Sequence, residues 1–349
     1  MLDRRAKKEE TPKDICYVTN FEKQHAPGLL ILKAGKGKAL SEDMKRLIED
    51  VRNAMQGALE NEEYQNRAQS IMEEMHEKQK QAFEELRQKA RNRGLEPVPT
   101  PSGMAFAATK DENKEPFSSE DYEKLSDEEK KRIEEKVEEM QKEAHRIAQN
   151  MPKWQRKIRE KQKAFNHEVT EFAIDPLINE LKEKYADHET VCDYLQNVRD
   201  DLIENVRTLL PGLQQQDPQQ QIPQGPHSQG GMGTASGAMD QAERRYHVNV
   251  LVDHSKSQGA PVIYEMNPTY QNLFGRVEHL AQMGALVTDF TMIRAGAMHR
   301  ANGGYLILDA LKVLTEPFVW DGLKRTLQAG NLKIESIGQM YSMISTVSL

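Results

Sequence analysis

The chain has 349 residues, enough for two domains, yet only 37% are hydrophobic and 30% are charged, so much of its length must be solvated surface instead of one compact core. The charges nearly cancel to a formal net charge of -7, which argues against the basic field that drives nucleic-acid binding. Cys16 and Cys192 stand far apart without a C-x-x-C pair or a Cys/His cluster, which argues against a disulfide scaffold or structural zinc and fits a reducing cytosol.

The first residues, MLDRRAKKEETPKD, lack the apolar core of a signal peptide, and no window reaches the roughly 18 continuous apolar residues of a membrane span. A cytoplasmic location without a membrane partner is expected. Next come two β-like runs, ICYVTNF and GLLILKAG, which place residues 1–40 in a small α/β unit. From Ser41 the apolar residues step by three and four, including Met44, Leu47, Ile48 and Val51, then Ile71, Met72 and Met75, then Phe83 and Leu86. This spacing predicts a helix of about fifty residues with Ser41 as N-cap and Gly94 as stop. At 1.5 Å per residue such a helix would be about 75 Å long, so it must project and find a partner helix.

A PSG turn and the run MAFAAT predict a β-hairpin near residues 97–117, at the tip of the projection. The chain then returns through a second charged helical stretch ending near Leu210, which Pro152 and Pro176 should kink or break into several helices. Alternating charges mark the outer faces of an antiparallel coiled coil, so residues 41–210 read as an inserted arm. Residues 211–242 are dominated by Gln, Gly and Pro, the composition of a disordered linker. Globular character resumes with three strands, YHVNVLVDHS, GAPVIYEMN and GGYLILDA, so residues 243–349 complete the α/β core. The expected fold is a predominantly helical chain: a partial α/β core with a long coiled-coil insertion.

The strand GGYLILDA ends on Asp309, as does the strand that holds an acid near the magnesium of a bound nucleotide. An Asp in this position also caps the helix that follows many buried parallel strands. A phosphate loop of the form G-x-x-x-x-G-K-[ST] is absent from the sequence. Its nearest imitation, LKAGKGKAL from Leu32 to Leu40, has the wrong spacing and no hydroxyl after Lys38, so it reads as a strand-to-helix connection. His299 in GAMHRANGG is the most catalytic-looking histidine, but no Ser or Cys motif accompanies it, which favours packing or an interface.

The order NPTYQNLFGRVE, then a hairpin-like segment, then RAGAMHRANGGYLILDA resembles the ATPase module of Lon-family proteases. The likeness is to the Lon-related type with a large helical insertion in its AAA+ domain, and it extends to ICYVTNF, LLILKAGKGKAL, VNVLVDHS and PFVWDGLKRTLQAGNLKI. The resemblance implies a P-loop-type core in which Asp309 is the Walker B aspartate, contacting Mg through the nucleotide, with Ala310 where many AAA+ proteins carry a Glu. It implies that Gly284 to Ile293 forms a hairpin directed at a central pore, where Leu286 and Phe290 would grip an unfolded polypeptide; packing onto the domain is the plain alternative. Arg294 and Arg300 would lie near a subunit face.

For the complete family enzyme the resemblance implies ATP and Mg as cofactors, protein substrates, a homo-oligomeric ring and ATP-dependent serine endopeptidase activity. Neither the phosphate loop nor the Ser-Lys protease domain is matched here, so the chain reads as a fragment or split gene product, expected to be inactive alone. Two readings of another class stand beside it. One is a non-enzymatic, degenerate AAA+ scaffold that binds partner proteins through its coiled-coil arm. The other is a nucleic-acid protein of the structural-maintenance kind, which would need a Walker A loop and a signature loop that the sequence lacks.

Overall fold

The computed structural model describes residues 1–23, 26–100, 103–110, 115–116, 126–209, 242–282 and 285–334. The chain divides into two compact units, residues 1–56 with 170–349, and residues 57–169. The expected linker, residues 211–242, lies outside the described residues apart from Ala242.

In the first unit, a short helix α1 (Leu2–Ala6) precedes strand β1 (Asp14–Val18), in which Asp14, Cys16 and Val18 point inward with the two-residue period of a pleated strand. Strand β2 (Gly28–Leu32) pairs antiparallel with β1, and β6 (Asn249–Val252) pairs antiparallel with its other edge. Cys16 sits opposite Leu30 on one side and Val250 on the other. Two strands more than two hundred residues apart are therefore neighbours, with the long helices threaded between them in sequence.

Helix α2 (Lys36–Glu60) begins five residues ahead of the expected N-cap. The cap comes from a distance: the buried carboxylate of Asp14 accepts the amide of Gly37 at 2.9 Å and that of His254 at 2.8 Å. Ser41 lies inside the helix, and its hydroxyl donates to the carbonyl of Val248. A local pattern shows only caps that lie next door, whereas an orphan helix amide donates to any suitably placed acceptor.

The fifty-residue helix is also divided. Asn61 leaves the helical conformation and its side chain accepts the amide of Glu63, starting α3 (Glu62–Asn92). A short amide side chain competes well for backbone amides, which favours a cap over a helix interior. Gly94, with φ of +73°, follows the end of α3 in the left-handed conformation that glycine accepts without a Cβ clash.

The return is helix α4 (Asp127–Lys184), 58 residues without interruption. This overturns the expected break at Pro152 and Pro176. Each proline removes one backbone bond, but both rings are exposed, while Ile158, Ile174 and Ile178 on neighbouring turns are buried and keep the helix in place. Helix α5 (Glu189–Leu209) follows and buries Val191, Leu195, Val198, Leu202 and Val206 along one face. Arg199 of α5 reaches Glu171 and Asp175 of α4 at 3.1 and 2.6 Å.

Within the second unit, Tyr64 bonds Asn166, Glu74 meets Lys161, Lys89 meets Glu143, and Arg93 meets Glu139. Positions rise along α3 as they fall along α4, so the two helices run antiparallel there. They carry a three-stranded antiparallel sheet of β3 (Leu95–Thr100), β4 (Gly103–Lys110) and β5 (Glu115–Pro116), in the order β3-β4-β5. Leu95 and Phe106 of the sheet pack with Leu86, Ala90 and Met140 of the helices.

The first unit continues through β7 (Val262–Glu265), α6 (Tyr270–Phe274), β8 (Arg276–Val277), β9 (Leu280–Gln282), β10 (Ala285–Val287), β11 (Ile293–Arg294), α7 (Ala297–Arg300), β12 (Tyr305–Leu308), α8 (Ala310–Thr315) and α9 (Val319–Ala329). Strand β12 lies parallel to β7, with Tyr264 opposite Ile307 and Glu265 opposite Leu308. Ile263, Leu306 and Leu308 pack on a core of Tyr270, Leu273, Phe274, Ala297, Val313, Val319 and Leu323. Strands β1, β2 and β6 form a sheet of their own, separate from the parallel pair.

Candidate functional site

Parallel strands place their carboxyl ends side by side, and the crevice beyond those ends is where α/β folds bind ligands. Here the two ends carry acids: Glu265 closes β7 and Asp309 follows β12. Asp309 is exposed and is the N-cap of α8, its Oδ1 accepting the amides of Leu311 at 2.9 Å and Lys312 at 3.2 Å. Lys312 turns back and donates its ammonium to the carbonyl of Met266 at 2.7 Å, pinning α8 to the end of β7. Arg300 approaches Glu265 at 3.4 Å. Glu265 is missing from the sequence-based expectations. Its signal is the acid ending the apolar run VIYE, the same pattern that exposes Asp309 in YLILD.

Both cap bonds of Asp309 use Oδ1, so its second oxygen is the one with the chemistry to approach a hydrated magnesium ion. A complete nucleotide site also needs amides and a lysine around the phosphates. LKAGKGKAL does not fit that role, because the amide of Gly37 is already bonded to the buried Asp14 carboxylate, and an anion at that helix start opposes a phosphate. Among the described residues no group of three or more His, Cys, Asp or Glu is gathered to hold a metal. The described residues thus provide a carboxylate suited to Mg but no phosphate cradle, and no catalytic step through a nucleotide follows from them.

Strands β9 and β10 form an antiparallel hairpin with Leu286 opposite Ala281. Leu286 is 74% exposed. Phe290 lies beyond the hairpin, half-buried in a 3-10 turn over Phe290–Met292, with its carbonyl accepting the side-chain amide of Asn249 at 2.7 Å. The paired residues are therefore Leu280–Gln282 and Ala285–Val287, earlier than the expected Gly284–Ile293, because Asp289 caps the following turn by accepting the amide of Thr291 and Asn249 clamps it. Of the two expected gripping residues, Leu286 is on the hairpin and Phe290 is not; Gly284 lies outside the described residues.

Beside the hairpin is a cleft of about 510 Å³ lined by Arg244, Glu278, His279, Leu280, Thr291, Met292 and Arg294. Glu278 accepts from Arg294 at 2.8 Å and Arg276 at 3.0 Å, which holds its carboxyl below the usual carboxylate range. Arg294 and Arg300 both have an acid partner within the chain. His299 accepts the amide of Gly296 on Nδ1 at 3.2 Å, and burial lowers its pKa to about 4. It is a neutral helix cap near pH 7. The thiol of Cys16 is pushed up to about 12 by burial and by Asp14 and Asp253, the opposite of an activated nucleophile.

A parallel strand pair with acids at its carboxyl ends, followed by a helix capped by Asp309, forms a small α/β module. Residues 258–349, which contain this module, match the family model described as LonB-like, AAA domain. Residues 14–47, spanning β1, β2 and the start of α2, match the Lon-like LonC helical domain. Both matched segments are thus similar to Lon-related domains. No curated protein matches it. No helix among the described residues is long and apolar enough to cross a membrane.

Proposed function

We propose that this chain is the substrate-engaging ATPase portion of a Lon-related ATP-dependent serine protease, a cytoplasmic machine that unfolds and degrades proteins. The observation that carries the proposal is the position of Asp309: an exposed carboxylate at the carboxyl end of β12, inside the segment that matches an AAA domain. Asp309 serves there as the Walker B acid, with ATP and Mg completing the site in a ring of copies. The ordered sequence of contacts between α3 and α4 supports an antiparallel coiled-coil arm over residues 41–210, inserted between core segments 1–40 and 243–349. The arm captures protein substrates, and the exposed Leu286 grips them at the pore. Without a phosphate cradle among the described residues, the chain alone does not hydrolyse ATP efficiently.

A second reading has its own support. Asp309 is a fully formed helix cap, a role that needs no nucleotide. A degenerate AAA+ scaffold that binds partners through the arm would keep it for that reason alone.

Calorimetry with Mg and ATP on the purified chain, alongside Asp309→Asn, tests the missing phosphate cradle that both readings share, since Asn preserves the cap but not the charge. No binding is expected for either protein. Micromolar binding lost in Asp309→Asn would overturn the view that the phosphate cradle is missing. An adjacent reading frame encoding G-x-x-x-x-G-K-[ST] or a Ser-Lys protease domain would favour the protease over the scaffold.

A further inference from the structure

The cleft of about 510 Å³ beside the β9–β10 hairpin is lined by two guanidinium groups, Arg244 and Arg294, and by the apolar side chains of Leu280 and Met292. Arg294 belongs to β11, and Arg244 lies just ahead of β6. One side chain outside the lining ties these segments together: Asn249 of β6 donates its amide to the carbonyls of Phe290 at 2.7 Å and Ile293 at 3.0 Å. The arginines therefore stand on backbone that is already fixed, and cations held in place lose less freedom when an anion arrives.

The charges around the cleft do not cancel. Glu278, also in the lining, meets Arg294 through Nε at 2.8 Å and Arg276 at 3.0 Å, and these two bonds keep it ionised. Arg276 is the partner of Arg294 in the β8–β11 ladder, so one carboxylate serves two neighbouring cations. Arg244 stands 3.9 Å from Asp289, an ion pair beyond hydrogen-bond distance, and Asp289 also accepts the amide of Thr291 at 2.7 Å. Three guanidinium groups thus meet two carboxylates, which leaves one positive charge over. A guanidinium has five donors in a planar fork that matches a carboxylate, far more than the single Nε contact of Arg294 and the loose pair of Arg244 employ. Both side chains are open to solvent, Arg244 at 41% and Arg294 at 50% exposure. One further carboxylate balances the charge, and an alkyl group beside it has Leu280 and Met292 to rest on. Phe, Tyr and Trp are absent from this lining, so a nucleobase has no such ring to stack on.

We propose that this cleft binds a carboxylate of an unfolded polypeptide, from an acidic side chain or from the free chain end, through Arg244 and Arg294, with an adjoining apolar residue against Leu280 and Met292. The proposal rests on the reading of the chain as the part that engages protein substrates. It adds to the sequence-tolerant contact of Leu286 a preference for segments that carry an acid.

Fluorescence anisotropy on the full chain, at about 0.15 M salt to screen surface attraction, tests this with three dye-labelled peptides. The first is Ser-Gly-Ala-Leu-Gln-Leu-Ala as the C-terminal amide, the second is the same peptide as the free acid, and the third is the amide with Glu in place of Gln. At least one of the two carboxylate peptides is expected to bind about tenfold more tightly than the neutral amide, the gain of a charge-assisted pair. Which of them does so tells whether the chain end or the side chain is recognised. Arg244→Gln with Arg294→Gln should erase the difference with the circular dichroism spectrum unchanged, whereas Arg156→Gln with Arg159→Gln, the same loss of charge at exposed sites of α4, should preserve it. Equal binding of the three peptides, a preference that survives the first pair of substitutions, or one that the α4 pair abolishes equally, overturns the carboxylate site. Carboxymethylated α-lactalbumin, a permanently unfolded protein, separates this proposal from the broader one. If it binds while the peptides show no carboxylate preference, the cleft falls and substrate engagement stands; if neither it nor any peptide binds, both fall.

Discussion

The hydroxyl of Tyr185 donates to Oδ2 of Asp43 at 2.7 Å, joining the start of α2 to the end of α4 across 142 positions of sequence. Lys184 and Arg46 bond the same carboxylate at 2.7 and 3.2 Å. Burial alone would raise the pKa of Asp43, but the bonds from Lys184 and Tyr185 outweigh it and lower it. Tyr185→Phe should cost about 2 kcal/mol in urea unfolding, the usual loss for a bond to a charged acceptor. Asp43→Ala, which strands the hydroxyl and the ammonium together, should cost about 3 kcal/mol, and the double variant less than the sum. Additive losses would show that the two residues are not coupled.

The unbroken α4 carries an avoidable strain. At Pro152 and Pro176 the carbonyls of Ala148 and Phe172 lose their helical partners. Replacing either exposed proline with Ala should raise the melting temperature, by the equivalent of about 1–2 kcal/mol after allowing for the freer unfolded chain. A fall in melting temperature would mean that the rings themselves support the helix.

His299 makes the AAA-like segment sensitive to acid. Its pKa is about 4 in the fold against 6.5 for the free group, because burial disfavours the charged form. Protons therefore bind the unfolded chain first: this part of the stability is complete above about pH 6.5 and is lost as pH falls toward 4. Between about pH 7 and 5 the loss should be about 2 kcal/mol. His299→Gln should flatten this dependence in urea titrations, and a variant with the wild-type slope would assign the acid sensitivity to other groups.

Gly296 permits a close approach that no side chain allows. A Cβ there would stand 2.2 Å from the carbonyl oxygen of Leu273 and 2.4 Å from the amide of Gly275, both backbone atoms that cannot swing aside. Gly296→Ala should cost on the order of 3 kcal/mol by forcing α6 from α7. A melting temperature equal to wild type would show that the two helices slide freely.

Strands and helices that announce themselves by local spacing were legible in the sequence. ICYV and YLIL carry β-branched and aromatic residues between turn formers, and the steps from Met44 to Val51 trace a single helical face. What escaped depends on residues far apart. The cap of α2 is Asp14, and nothing near Lys36 hints at it. The division at Asn61 is a contest between one side chain and the backbone inside a pattern that otherwise continues smoothly. Pro152 and Pro176 signal a break that the burial of Ile174 and Ile178 overrides. At the candidate site, Asp309 was visible as a strand-terminal acid, but its neighbour Glu265 becomes meaningful only once β7 and β12 are known to be parallel. Phe290 could not be separated from Leu286 without the clamp from Asn249.

Asp14 and His254, bonded through one carboxylate, are 240 residues apart. A ribosome adding about 5–20 residues per second needs about 10–50 s to make that stretch. For all that time Cys16 and Val18 wait on a two-stranded ribbon, with the edge destined for Val250 open and Asp14 lacking one of its two amide donors. Strand β1 is thus sealed long after it is made, and the newborn chain, more than the finished one, is exposed to capture by chaperones or by other copies of itself.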